Sequence, residues 1–365
     1  MQKAVLSSRQ AFFVSIPLLV IMGHFFLVPL YLRFAGRDAW LGVIAGFFAG
    51  AVIFLAMGNL HRLMEGKTLV EKLSQWLGPW VGKVLAVPLV LYFFALSLVT
   101  LYGFSIFISS IFLSDHPRWI ITVTFTLAMM YMVHKGVEVI ARVSEWIILY
   151  NMVSGMLVSL ALHREKHYEK LLPILQHGPK PLLPVIVLIL AVFGELLVML
   201  MVQVQGEQIS GTNRKAYLML FLSCFFIFPS TTAGPVAIFG EDQAKLLAFP
   251  VESTVRLISV GFIERFDLYG LTIMTVSALL RLALLHYGAS VAVAQVLNLK
   301  SYRWVNPAMA IPLGISGLMV FDNYLELMDF LRRYYPYGAA ACGLICLLWI
   351  TAWLASRRRT KPTTA

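Results

Sequence analysis

The chain has 365 residues, of which 59% are apolar and only 13% charged, with a formal net charge of +11. That balance excludes an ordinary soluble domain, in which about half the residues are apolar and a quarter charged. The basic excess flanks apolar runs, as a membrane-topology signal does, rather than forming a nucleic-acid-binding patch.

A hydrocarbon core about 30 Å thick needs roughly twenty apolar residues per helical crossing. Ten apolar runs are candidate spans: Gln10 to Tyr31, Ala39 to Leu60, Val84 to Leu113, Trp119 to Val133, Val143 to Leu162, Leu182 to Val204, Ala216 to Gly240, Leu268 to Leu297, Val305 to Phe321 and Tyr337 to Ala355. The N-terminus runs into the first span without a cleavage site, so no secretory signal is expected. With the N-terminus inside, sixteen of the 29 Lys and Arg fall on the inner side, ending in Arg357 to Arg359 after the last span. Both termini are therefore predicted to be cytoplasmic, in a single membrane domain covering residues 1–365.

Span one is interrupted by Pro17, Gly23 and Pro29, with a break predicted at Met22-Gly23-His24. Span two carries Gly42, Gly46 and Gly50 every fourth residue, a smooth stripe for close helix packing. Span three is long, with no charge between Lys83 and Asp115, and holds Tyr102 beside Gly103. Span six opens on Pro181 and Pro184 and has a predicted break at Phe193-Gly194-Glu195. The stretch from Phe249 to Asp267 places Val251, Val255, Ile258, Phe262 and Phe266 at helical spacing, which predicts short amphipathic helices on the outer face. Span eight contains Arg281 in mid-run.

Interrupted segments in corresponding places of two halves mark the binding site of inverted-repeat transporter folds. Spans one and six correspond in a five-plus-five repeat. The expected fold is an all-α membrane protein of ten transmembrane helices in that arrangement, although no residue similarity links the halves. Freed N–H groups at a broken helix attract a carboxylate, and freed carbonyls hold a cation. The predicted ligand site therefore comprises Met22, Gly23, His24, Phe193, Gly194 and Glu195, with Tyr102 closing it from span three. Intramembrane charges are costly and default to function, so Arg281 is expected either to cap carbonyls of span one as a tethered cation or to pair with Glu195. Cys224, Cys342 and Cys346 all lie within spans and give neither a disulfide framework nor a metal set. No phosphate loop, zinc-protease helix or nucleophile elbow is present. No enzyme, cofactor or nucleic-acid partner is expected; polybasic contact with membrane lipid is.

Gly36-Arg37-Asp38-Ala39-Trp40, the segment Lys135-Gly136-Val137-Glu138-Val139-Ile140-Ala141-Arg142 with Ser144-Glu145, Gly178-Pro179-Lys180-Pro181, Gly194-Glu195, and Arg256-Leu257-Ile258-Ser259 with Ile263-Glu264-Arg265 together resemble the endospore germination permeases. These are the B subunits of nutrient germinant receptors. The resemblance covers nearly the whole chain. It implies a branch of the amino acid, polyamine and organocation transporter superfamily, with a LeuT-like fold. It also implies a sensor of small nutrients, commonly amino acids, acting with an A subunit and a lipoprotein C subunit in the spore inner membrane. Arg281 and Tyr287 resemble a cation and a Tyr six residues later in that family, which adds Tyr287 to the site. One departure stands out: where the family often has a Gly-Thr-rich break, Gly23 is followed by His24, Phe25 and Phe26. Three readings remain: a germinant-sensing subunit, an amino acid transporter working by alternating access, and a membrane scaffold that has lost its ligand.

Overall fold

A computed structural model describes residues 5–64, 66–204, 210–258 and 267–359. The chain folds into helices α1 (Ser8–Ile21), α2 (Val28–Ala35), α3 (Ala39–Leu63), α4 (Leu69–Leu77), α5 (Pro79–Ile111), α6 (Arg118–Lys135), α7 (Val137–Ala161) and α8 (Leu182–Gly194). There follow α9 (Ser210–Phe239), α10 (Glu241–Leu246), α11 (Pro250–Val255), α12 (Asp267–Val296), α13 (Val305–Met319), α14 (Tyr324–Tyr334) and α15 (Ala339–Arg359). Among the described residues, eight helical segments are long and apolar enough to cross a membrane. The protein is a multi-pass, all-α membrane protein. Helices also lie on the fourth and ninth apolar runs, but α6 falls below that apolarity and α13, with 15 residues, below that length.

Both suspected interruptions are irregular. Between α1 and α2, Met22–Phe26 form a π-helical turn. Pro17 sits inside α1 and has no N–H to donate. After α8 the chain tightens into a 3₁₀ helix over Glu195–Met201. Strand β1 (Val5–Leu6), just before α1, pairs in parallel with β2 (Gln203–Val204), just after that 3₁₀ helix. The starting end of one irregular segment is thus stitched to the finishing end of the other.

Helix α1 packs against α7, α9 and α12, while α8 packs against α2, α3 and α15. Helix α3 lies along α9, α5 along α12, and α6 against both α12 and α13. The span-two glycines explain one of these seams. A Cβ on Gly42, Gly46 or Gly50 would fall 2.8, 2.7 or 2.3 Å from side-chain atoms of Val185, Ile189 or Phe193, one turn apart on α8. Small residues bring the two backbones together where hydrocarbon offers no solvent-driven attraction. Of the stretch 249–267, the structure describes α11 and a following turn to Ile258; Phe262, Glu264, Arg265 and Phe266 lie outside the described residues.

Candidate functional site

Glu195 ends α8, so its side chain projects from the point where helical hydrogen bonding changes register. Its carboxylate receives both terminal nitrogens of Arg281: Nη2 donates to Oε1 at 2.8 Å and Nη1 to Oε2. The Tyr335 hydroxyl, in the turn before α15, donates to Oε1 at 2.6 Å. Arg281 also donates from Nε to Thr100 Oγ1 of α5, at 2.9 Å, and from Nη1 to the Leu18 carbonyl of α1. That carbonyl is open to the guanidinium because the Met22 N–H turns to Leu19 instead, at the start of the irregular turn. Both charged side chains are fully buried. Bidentate geometry and further donors on each ion are what a buried pair needs to offset its desolvation. One guanidinium and one carboxylate thereby join α1, α5, α8, α12 and the turn into α15.

The remaining expected residues surround this pair unequally. Gly23 faces Phe228 of α9, whose ring lies 2.0 Å from where a Cβ would stand. Gly194 faces the Gly338 carbonyl at 2.4 Å on the same measure. Met22 is fully buried. Phe193 packs edge-on to Phe47 and Phe54, each at 4.9 Å between centroids. The structure therefore brings Met22, Gly23, Phe193, Gly194, Glu195 and Arg281 into one packed centre. Tyr102 is elsewhere: Arg118 donates to its hydroxyl at 2.9 Å and lies over its ring. Tyr287 sits against Tyr302, 5.1 Å between centroids. Six residues along a helix are about 9 Å, or roughly one and two-thirds turns, which carries Tyr287 past Arg281 and away from the ion pair. Thr100, Tyr335 and the Leu18 carbonyl are the partners that sequence reasoning missed. Thr100 shares its apolar run with Ser97, Ser105, Ser109 and Ser110, so the sequence did not single it out.

His24 points to a different space. A cavity of about 630 Å³ lies beside the irregular turn, walled by α1, α7, α9, α11 and the first half of α12. His24 and Phe25 line it; Gly23 and Gly194 do not. Above the turn, Phe25 packs against Phe104, Phe107 and Phe249 at 5.9, 4.9 and 5.7 Å between centroids. Phe249 in turn meets Tyr324, whose hydroxyl donates to the Ala248 carbonyl at 2.6 Å. Among the described residues, no group of three or more His, Cys, Asp or Glu could hold a metal ion.

A family model described as spore germination protein, the spore permeases, matches residues 5–323. The chain belongs to the spore germination protein family. It is 27% identical to spore germination protein XB of Bacillus anthracis over 93% of this chain and 95% of that one. It is 23% identical to spore germination protein KB of Bacillus subtilis, over 90% of this chain and 88% of the relative. The B. subtilis spore germination protein YndE is 23% identical over 40% of each chain.

Two of the other patches that carry the family resemblance form turns between helices. Gly36 adopts φ +57°, and a Cβ there would stand 2.1 Å from the Glu241 carboxylate. Arg37 donates to Glu241 at 2.6 Å and to the Leu172 carbonyl, and Asp38 accepts from the Leu175 N–H at 3.0 Å. Lys245 completes the cluster on Glu241. Burial works to raise the Glu241 pKa, but hydrogen bonds and charge from Lys245 and Arg37 outweigh it and hold the carboxyl below its ordinary value. Gly136, at φ +102°, makes the turn between α6 and α7.

Proposed function

We propose that this spore germination protein is the membrane subunit of a nutrient germinant receptor that senses a small molecule, an amino acid in the first instance, and passes the signal to an A subunit and a lipoprotein C subunit in the spore inner membrane. Its termini face the cytoplasm in this reading. The observation that carries it is the Arg281 guanidinium on the Leu18 carbonyl and Glu195. Transporters with this pattern of broken helices use such freed carbonyls to coordinate a coupling ion. An arginine supplies a cation that stays charged and cannot leave with substrate. A fixed cation favours a sensor, in which ligand shifts a conformational equilibrium, over a pump driven by sodium.

Part of the helix contacts supports the five-plus-five inverted repeat, although α1 with α12 and α7 with α12 have no counterpart of similar extent in α8 with α5 and α15 with α5. Exchanging the halves turns the α1 contacts with α7 and α9 into the α8 contacts with α15 and α3, and turns α6 on α12 into α13 on α5; all are present. The pairs α3 with α9, α5 with α12 and α6 with α13 map onto themselves. Ligand would bind at the crossing of spans one and six, lined by Met22, Gly23, Phe193, Gly194 and Glu195, whereas His24 faces the separate cavity. Phe228 and the Gly338 backbone close that crossing in the conformation described, so binding requires them to withdraw. Phe249 and α11 form the outer lid.

The test is the germination of spores carrying the wild-type gene or Gly23→Trp, together with isotope uptake by the purified protein in liposomes. Sensing requires amino-acid-triggered germination that persists without sodium, is lost in the variant while folded protein remains in the membrane, and occurs without uptake. Sodium-dependent uptake would instead establish the transporter, and a normal response from Gly23→Trp would move the site elsewhere.

A further inference from the structure

The 630 Å³ cavity beside the irregular turn is within the usual size of small-molecule pockets. Its exposed rim, among the described residues, includes Met152, Met156 and Ser159 of α7 and Leu222, Phe226 and Ser230 of α9. Met156 and Phe226 are 68% and 72% exposed. On membrane-spanning helices such faces meet lipid, so the cavity opens sideways into the bilayer. Only molecules that partition into hydrocarbon reach it by that route.

The walls add a second constraint. Two buried polar atoms on lining residues have no hydrogen-bond partner among the described residues: Asn151 Oδ1, and Nδ1 of His24, whose ring also interacts with the Val20 backbone. The Asn151 amide nitrogen is already committed to Ser277 Oγ, at 2.8 Å. Unpaired polar atoms of this kind cost free energy that a ligand can recover. The charged lining residues are Lys166, bonded to Ser159, and Glu252, bonded to Arg256. A zwitterion would find no free pair of opposite charges here.

We propose that this cavity is a binding site for an uncharged, largely apolar molecule bearing one hydroxyl or amide, entering laterally between α7 and α9. A hydroxyl both donates and accepts, so it can serve His24 Nδ1 or Asn151 Oδ1 while the apolar body fills the rest. The occupant touches His24 and Phe25 of the irregular turn, so it acts on the element whose carbonyl Arg281 holds. The site is separate from the crossing of spans one and six and stands whether or not amino acids bind there.

Two glycines make the test clean. Gly155 of α7 and Gly234 of α9 both line the cavity, and a Cβ on either would meet no atom within 4 Å. The double variant Gly155→Leu/Gly234→Leu adds bulk at two lining positions where a Cβ meets no protein atom. The probe is a diazirine-labelled octanol, photolysed with the purified full-length protein in detergent, with the matching labelled octane as control. Octanol adducts should map to peptides of α7 and α9 and fall about tenfold in the double variant. They should fall similarly in His24→Phe, by the size of one lost hydrogen bond. Octane labelling should be indifferent to His24→Phe. Lipid extracted from the purified protein distinguishes the sources. A stoichiometric species lost in the double variant means a bilayer component occupies the site; none means an exogenous molecule does. Octanol labelling unchanged by the double variant would overturn the site, and octane labelling equal to octanol in every variant would overturn the proposed chemistry.

Discussion

Arg281 and Glu195 stabilise the centre only as a couple. Removing one partner strands the other charge in a fully buried site, which costs about 3–5 kcal/mol for a buried pair. Arg281→Met and Glu195→Gln should each lower the melting temperature in detergent sharply. The double variant should recover much of the loss, because two neutral residues leave no orphan charge, and a double variant no better than the singles would contradict this account. Glu241 offers a second test at the same scale. Its folded pKa lies below its unfolded one, so its contribution is present above the ordinary carboxylate pKa of about 4.3 and disappears as pH falls through the lower folded value. Hydrogen exchange in residues 172–175 and 241–246 should therefore rise on acidification below about pH 4, and should already be high at neutral pH in Glu241→Gln.

The elements show why some of this was readable in sequence and some was not. A charge inside twenty apolar residues is conspicuous, so Glu195 and Arg281 announced themselves, and helices lie on all ten apolar runs. The glycine stripe of α3 was legible as a packing face, though only the structure names Val185, Ile189 and Phe193 as what it packs. Tyr102 and Tyr287 were harder to place. Position within a long helix says nothing about which neighbour claims a hydroxyl, and Arg118 claims that of Tyr102. The Leu18 carbonyl could not be read at all, since every residue carries one and only the local turn frees it. The seam between α3 and α8 gives a prediction of its own. Gly46→Leu forces a side chain into Ile189, and such overpacking typically costs 1–3 kcal/mol (roughly). A Cβ on Gly155 meets no atom within 4 Å, so the melting temperature of Gly155→Leu should stay near wild type; equal losses in the two would show that the α3–α8 contact is not tight.

For the whole molecule, the pairing of β1 with β2 limits how the irregular helices can move. Val5 lies opposite Gln203 and Leu6 opposite Val204, so the start of α1 and the end of the 3₁₀ helix after α8 travel together unless these bonds break. A disulfide between Val5→Cys and Gln203→Cys should form under mild oxidation without unfolding the protein. If germination requires the two ends to part, oxidised spores carrying the double variant should fail to respond and should recover on reduction. A normal response from the oxidised, crosslinked form would mean that the ends stay joined throughout.

The Glu195–Arg281 couple also fixes how the protein meets an electric field. Moving one elementary charge across a membrane at 100 mV involves about 2.3 kcal/mol of electrical work. A guanidinium held on a carboxylate moves as a dipole of no net charge, so any rearrangement that keeps the couple intact does almost no such work. Its conformational equilibrium should therefore be the same in polarised and depolarised membranes, as measured by fluorescence from labelled protein in vesicles with an imposed potassium diffusion potential. A receptor built this way reads its ligand without reference to whether the membrane is energised.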